Sequence, residues 1–103
     1  MSGSVKDPNQ CQTMLEVRAG VNDVDRRLVA LIARRFRYMD AAARIKPDRD
    51  AVRDEARKAD VLAKVRATAT AAGVNTMLME RIYEDLIETS IAHELVEYDR
   101  TRG

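Results

Sequence analysis

The stretch from Thr13 to Lys46 contains no proline, and its apolar residues recur at coiled-coil spacing. Met14, Val17, Val21, Val24, Leu28 and Leu31 follow one another in steps of three and four. The seam then continues through Arg35, Tyr38, Ala42 and Ile45. Thr13-Met-Leu-Glu16 has the form of a capping box at its start. Pro47 ends it, because proline disfavours helical geometry in Lys46 and cannot donate a hydrogen bond. A helix over 13–46 is about 50 Å long. A compact monomer of this length is only about 33 Å across. One chain cannot cover its own first seam, so the sequence predicts a homodimer in which two long helices pair.

Two further helices follow. The second is expected to start near Asp48 or Asp50 and to end at Ala72, with Gly73 as its C-terminal cap. Asn75 or Thr76 is expected to cap the third, which runs to about Arg100. Two prolines, four glycines and almost no alternating pattern leave no room for a sheet. The fold class is therefore all-α, with a long first helix, a shorter second and a long third. Residues 1–12 are polar and read as a flexible N-terminus, and residues 13–103 as one helical domain.

Charge excludes several functions. The net charge is +1, which gives no global attraction for nucleic acid or an anionic membrane. Locally, residues 13–46 carry eight basic and four acidic groups, whereas residues 74–103 carry three and seven. This suits pairing of a basic first helix with an acidic third one, and solvated faces would give a similar pattern. No apolar run approaches the roughly 18 residues of a membrane span, and residues 1–12 lack a signal-like apolar core. Cys11 is the sole cysteine, so no intrachain disulfide forms. Together these features predict a cytoplasmic protein.

Three polar residues occupy positions where an apolar side chain is expected. Arg35 interrupts the first seam. Ser90 and Glu94 fall inside the third-helix stripe of Met79, Ile82, Tyr83, Leu86, Ile87, Ile91, Leu95 and Tyr98. Burying an unpaired ion costs several kcal/mol, so such residues need partners or a wet cavity. A bridge between Arg35 and Glu94 would be a purely structural solution. However, Arg35 and Lys46 are about 20° from eclipsed on one helix face and about 16 Å apart. Two long cationic side chains at that spacing can bracket a small dianion. Ser90 and Glu94, at i and i+4, share a face as well. Cations exceed anions in this set, which favours an anionic ligand.

At these residues the chain resembles the all-helical class of chorismate mutase. The similarity runs from about Leu15 to Tyr98. It is carried by Leu15-Glu-Val-Arg18, Val24-Asp25, Leu28-Val-Ala-Leu31, Arg34-Arg35 and Ala41-Ala-Ala-Arg-Ile-Lys46. Val52-Arg53-Asp54 with Arg57, and Ile87-Glu-Thr-Ser90 with Glu94, complete the pattern. Pro8 with Cys11, Tyr38-Met-Asp-Ala-Ala-Ala-Arg-Ile-Lys46 and the ending Thr101-Arg-Gly103 are more similar to the isochorismate-pyruvate lyase branch.

The resemblance implies an intertwined helical homodimer with two sites, each completed by the other chain. It would place Arg35 on the ring carboxylate of a dianionic substrate, and Arg18 of the partner subunit on the enolpyruvyl carboxylate. Arg18 and Arg35 are about 25 Å apart along one helix, too far to share a site within a chain. Lys46 would contact the side-chain carboxylate and the ether oxygen. Asp54 and Arg57 would orient the ring and its hydroxyl, and Ser90 would support the ring-carboxylate end. Lys58 departs from the mutase pattern, where Glu is common.

A Claisen rearrangement requires no nucleophile, metal or cofactor. It requires a compact substrate conformer and cations near the breaking ether bond. No metal cluster, catalytic Cys–His pair or phosphate-binding glycine loop is expected. His93 reads as a solvated or interface residue, and Cys11 as incidental. Glu94, where bacterial mutases often have Gln, would face the ether oxygen and can donate to it only when protonated. The leading expectation is a chorismate mutase that makes prephenate for aromatic amino acids. The alternative is an isochorismate-pyruvate lyase that forms salicylate and pyruvate. A non-catalytic helical dimerisation module has no reason to bury Arg35, Ser90 and Glu94, and a helix-turn-helix DNA reader does not suit an acidic third helix.

Overall fold

The structure, a computed structural model, describes residues 5–102. Residues 1–4, the beginning of the expected N-terminal stretch, and Gly103, the last residue of the Thr-Arg-Gly ending, lie outside the described residues. Every regular element among the described residues is helical. They are α1 (Met14–Ile45), α2 (Glu55–Ala72) and α3 (Thr76–Thr101), with 3-10 turns at Pro8–Gln10 and Arg49–Ala51. The chain divides into two compact units, Met1–Arg35 and Phe36–Gly103, and α1 runs through the division.

In the first unit, the capping box forms as the sequence predicts. Thr13 Oγ1 accepts from Glu16 N at 3.1 Å, and Glu16 Oε1 accepts from Thr13 N at 3.1 Å and Gln12 N at 2.8 Å. The same carboxylate pairs with Lys6. That ammonium and the two backbone donors hold the Glu16 carboxyl down at about 2. The seam residues Met14, Val17, Val21, Val24, Leu28 and Leu31 are all exposed in the single chain.

The second unit contains the buried residues. Ala43 of α1, Val52, Ala69 of α2 and Ile87 of α3 form its apolar core, and Ser90 and Glu94 are buried with them. α2 packs along α3, and the Arg49–Ala51 turn also touches α3. Small residues at positions 43 and 69 suit close helix approach in a core without large side chains.

The start of the second helix differs from expectation. Asp48 does cap, accepting from Ala51 N at 3.0 Å, but it opens only one 3-10 turn. A second cap, Asp54, accepts from Arg57 N at 3.0 Å and starts α2 at Glu55. A capping residue must leave helical geometry, and Asp54 is extended (φ −130°, ψ 101°), which separates the two turns. Gly73 ends α2 in the left-handed region at φ 72°, where its N–H reaches Ala69 O and Thr70 O, as expected of a C-terminal glycine. Asn75 caps α3 through Leu78 N.

Candidate active site

Pro47 stops α1 one residue after Lys46 N donates to Ala42 O at 2.9 Å, so Lys46 stands at the helix end. Its ammonium turns onto α3 and lies 2.6 Å from Glu94 Oε2. It also donates to Val52 O at 3.3 Å. Glu94 is 3% exposed. The contact is an ion pair with a buried carboxylate.

Ser90 lies one turn earlier on the same face of α3 and is 2% exposed. Its hydroxyl donates to Leu86 O at 2.6 Å. To hold a substrate carboxylate it would have to turn that proton away from the backbone. Of the expected set, the structure therefore pairs Lys46 with Glu94 and buries Ser90 one turn before Glu94 on α3. Asp54 and Arg57 serve the start of α2. Asp54 caps the helix, and Arg57 reaches along its surface to Asp60 at 2.8 Å. Arg18 and Arg35 belong to the first unit, where Arg18 is exposed and Arg35 partly buried.

Lys58 holds a position that sequence reasoning noted only as a departure. Its ammonium bridges Glu84 at 2.9 Å and Glu88 at 2.8 Å. Arg53 grips the same Glu88 carboxylate at 2.6 and 3.2 Å. These two cations pull the Glu88 carboxyl down to about 2, and the two carboxylates raise Lys58 to about 12. The acidic third helix is thus neutralised largely by α2 and the turn before it. The i, i+4 spacing of Glu84 and Glu88 is the sequence signal that marks such a cation seat. His93 is half-buried, with Nε2 2.6 Å from Asp40 Oδ1 and its ring edge-on to Phe36. No cluster of three or more metal-ligating side chains occurs among the described residues. Nor is any helix there long and apolar enough to cross a membrane.

A lysine paired with a buried carboxylate where two helices meet occurs in many folds, and the match of the chain as a whole identifies the family. Residues 17–95 match the family "Chorismate mutase type II". The chain belongs to that family. The matched segment contains Arg18, Arg35, Lys46, Asp54, Arg57, Ser90 and Glu94. Isochorismate pyruvate lyase of Pseudomonas aeruginosa is 26% identical over 99 residues, which cover 96% of this chain and 98% of that protein. The chain is an enzyme of the chorismate mutase superfamily.

Proposed function

We propose that this enzyme converts chorismate to prephenate by a cofactor-free Claisen rearrangement in a homodimer. The observation that carries this reading is the ion pair between Lys46, at the end of α1, and the buried Glu94. The breaking ether bond places negative charge on its oxygen. An ammonium beside that oxygen stabilises that charge without a covalent step. Arg35 and the partner subunit's Arg18 supply the cations for the two substrate carboxylates. The exposed apolar seam of α1 supports the dimer, since burying six such side chains against a second copy removes substantial apolar surface from water. The cytoplasm is the compartment we assign.

A second reading is isochorismate-pyruvate lyase. It is favoured by the relative that carries this name and spans nearly the whole chain. It is also favoured by Lys58, which puts an ammonium where mutases often have Glu. Purified protein incubated separately with chorismate and isochorismate tests both. Prephenate formed with the higher kcat/KM supports the first reading. Salicylate and pyruvate formed with the higher kcat/KM replace it by the second.

A further inference from the structure

Glu94, Tyr98 and Arg102 are spaced four residues apart on α3 and its cap, so they share one face over successive turns. This face grips the end of α1 at three points. Glu94 meets the Lys46 ammonium at 2.6 Å. Tyr98 Oη donates to Pro47 O at 3.5 Å. Arg102 donates through Nη1 to Ala43 O at 2.9 Å and through Nη2 to Lys46 O at 2.6 Å. Its guanidinium carbon lies 4.0 Å from the centre of the Tyr98 ring. The last carbonyls of a helix have no partner within it and carry partial negative charge, so a guanidinium there is doubly favoured. The fork geometry matters as well. Two donors in one plane reach two carbonyls while the face of the group stacks on Tyr98, and lysine has no equivalent.

Lys46 is therefore held from both ends, its carbonyl by Arg102 and its ammonium by Glu94. We infer that Arg102, seated on Tyr98, is a positioning residue that fixes the backbone of Lys46 and so aims its ammonium at the reacting oxygen. The catalytic part of this inference rests on the reading of Lys46 given above. A displacement of about 1 Å at a charge-stabilising group costs up to about a hundredfold in rate. The ties of Arg102 to the end of α1 reach only backbone atoms, and its remaining contacts are with Thr101 and Tyr98, so its removal leaves every group proposed to contact substrate chemically intact.

The test compares Arg102→Ala, Arg102→Lys and a control, Gly73→Ala, which destabilises the far end of α2 through its left-handed backbone. Amide hydrogen exchange is measured over residues 44–53 and over α2, together with kcat and KM. The expected result is faster exchange confined to residues 44–53 in Arg102→Ala. With it, kcat falls about tenfold to a hundredfold while KM changes less. Arg102→Lys recovers only part of the rate, and Gly73→Ala keeps the wild-type kcat despite its lower stability. Unchanged exchange over 44–53 overturns the inference. So does faster exchange with wild-type kcat, which makes Arg102 a structural cap alone. If the wild type turns over neither chorismate nor isochorismate, the functional reading fails by itself, and the exchange result still decides whether Arg102 fixes Lys46.

Discussion

Lys46 Nζ and Glu94 Oε2 lie 2.6 Å apart across the junction of α1 and α3, and the carboxylate is almost fully buried while the lysine is 28% exposed. The asymmetry sets the energetics. Removing the ammonium strands a buried charge, whereas neutralising the carboxylate strands only a partly solvated lysine. Lys46→Ala is expected to destabilise the protein by about 2 kcal/mol. Glu94→Gln changes stability far less. Urea unfolding of both variants measures the difference, and equal losses would show that the burial asymmetry does not govern the pair.

On the proposed function, Lys46 matters to catalysis more than to folding. Lys46→Gln retains a donor of similar reach but loses the charge that a breaking ether bond would need. Its kcat is expected to fall about a hundredfold to a thousandfold. Affinity for a substrate analogue that cannot rearrange should fall much less, because the interaction strengthens only as charge develops. Parallel losses in kcat and analogue binding would assign Lys46 to simple substrate binding.

The shared-site proposal has a genetic form. Arg18→Ala and Arg35→Ala homodimers should each lose about a hundredfold or more in kcat/KM, since each leaves a carboxylate without its bidentate partner. If the two arginines serve one site from different chains, a mixed dimer of the two variants contains one intact site. Activity should then reappear after subunit exchange. Absence of recovery in mixed dimers verified by mass spectrometry would refute the trans assignment of Arg18.

Between α2 and α3, Glu88 links folding to pH. Arg53 and Lys58 hold its carboxyl at about 2 in the folded protein, below the ordinary 4.5. A depressed folded value contributes stability above the unfolded value, and this is lost as pH falls from 4.5 through about 2. Lys58 has the opposite sign. Raised from 10.5 to about 12, it contributes below 10.5 and ceases to do so as pH rises through about 12. Glu88→Gln should therefore lower the Tm near neutral pH and flatten its decline in acid. Because Glu88 and Arg53 are open to solvent, salt should shrink the effect. A Glu88→Gln protein with the wild-type acid profile would show that the network adds nothing to stability.

Local chemistry was legible in the sequence wherever a residue acts on its own neighbours. Thr13 with Glu16, Gly73 and Asn75 all form the caps that their spacing predicts. Ser90 and Glu94 stood out because they break an apolar stripe, and they are buried. The second helix start was misplaced because Asp48 and Asp54 are equally good caps, and only the folded chain shows that the first opens a single turn. The i, i+4 pair of Glu84 and Glu88 marks a cation seat but not the cation that fills it, and the Arg102 clamp leaves no periodic trace. Both partners depend on which residues two distant segments bring opposite one another.

In the proposed mechanism, Glu94, buried against the Lys46 ammonium, faces the reacting oxygen. A carboxylate there neutralises Lys46 and repels the oxygen that gains charge, whereas the amide of Gln leaves the ammonium uncompensated and donates a hydrogen bond. The kcat of Glu94→Gln beside that of the wild type at neutral pH tests this placement most directly. The variant should turn over at least as fast as the wild type. A folded Glu94→Gln dimer whose kcat is lower by about tenfold or more would contradict the placement of Glu94 at the reacting oxygen.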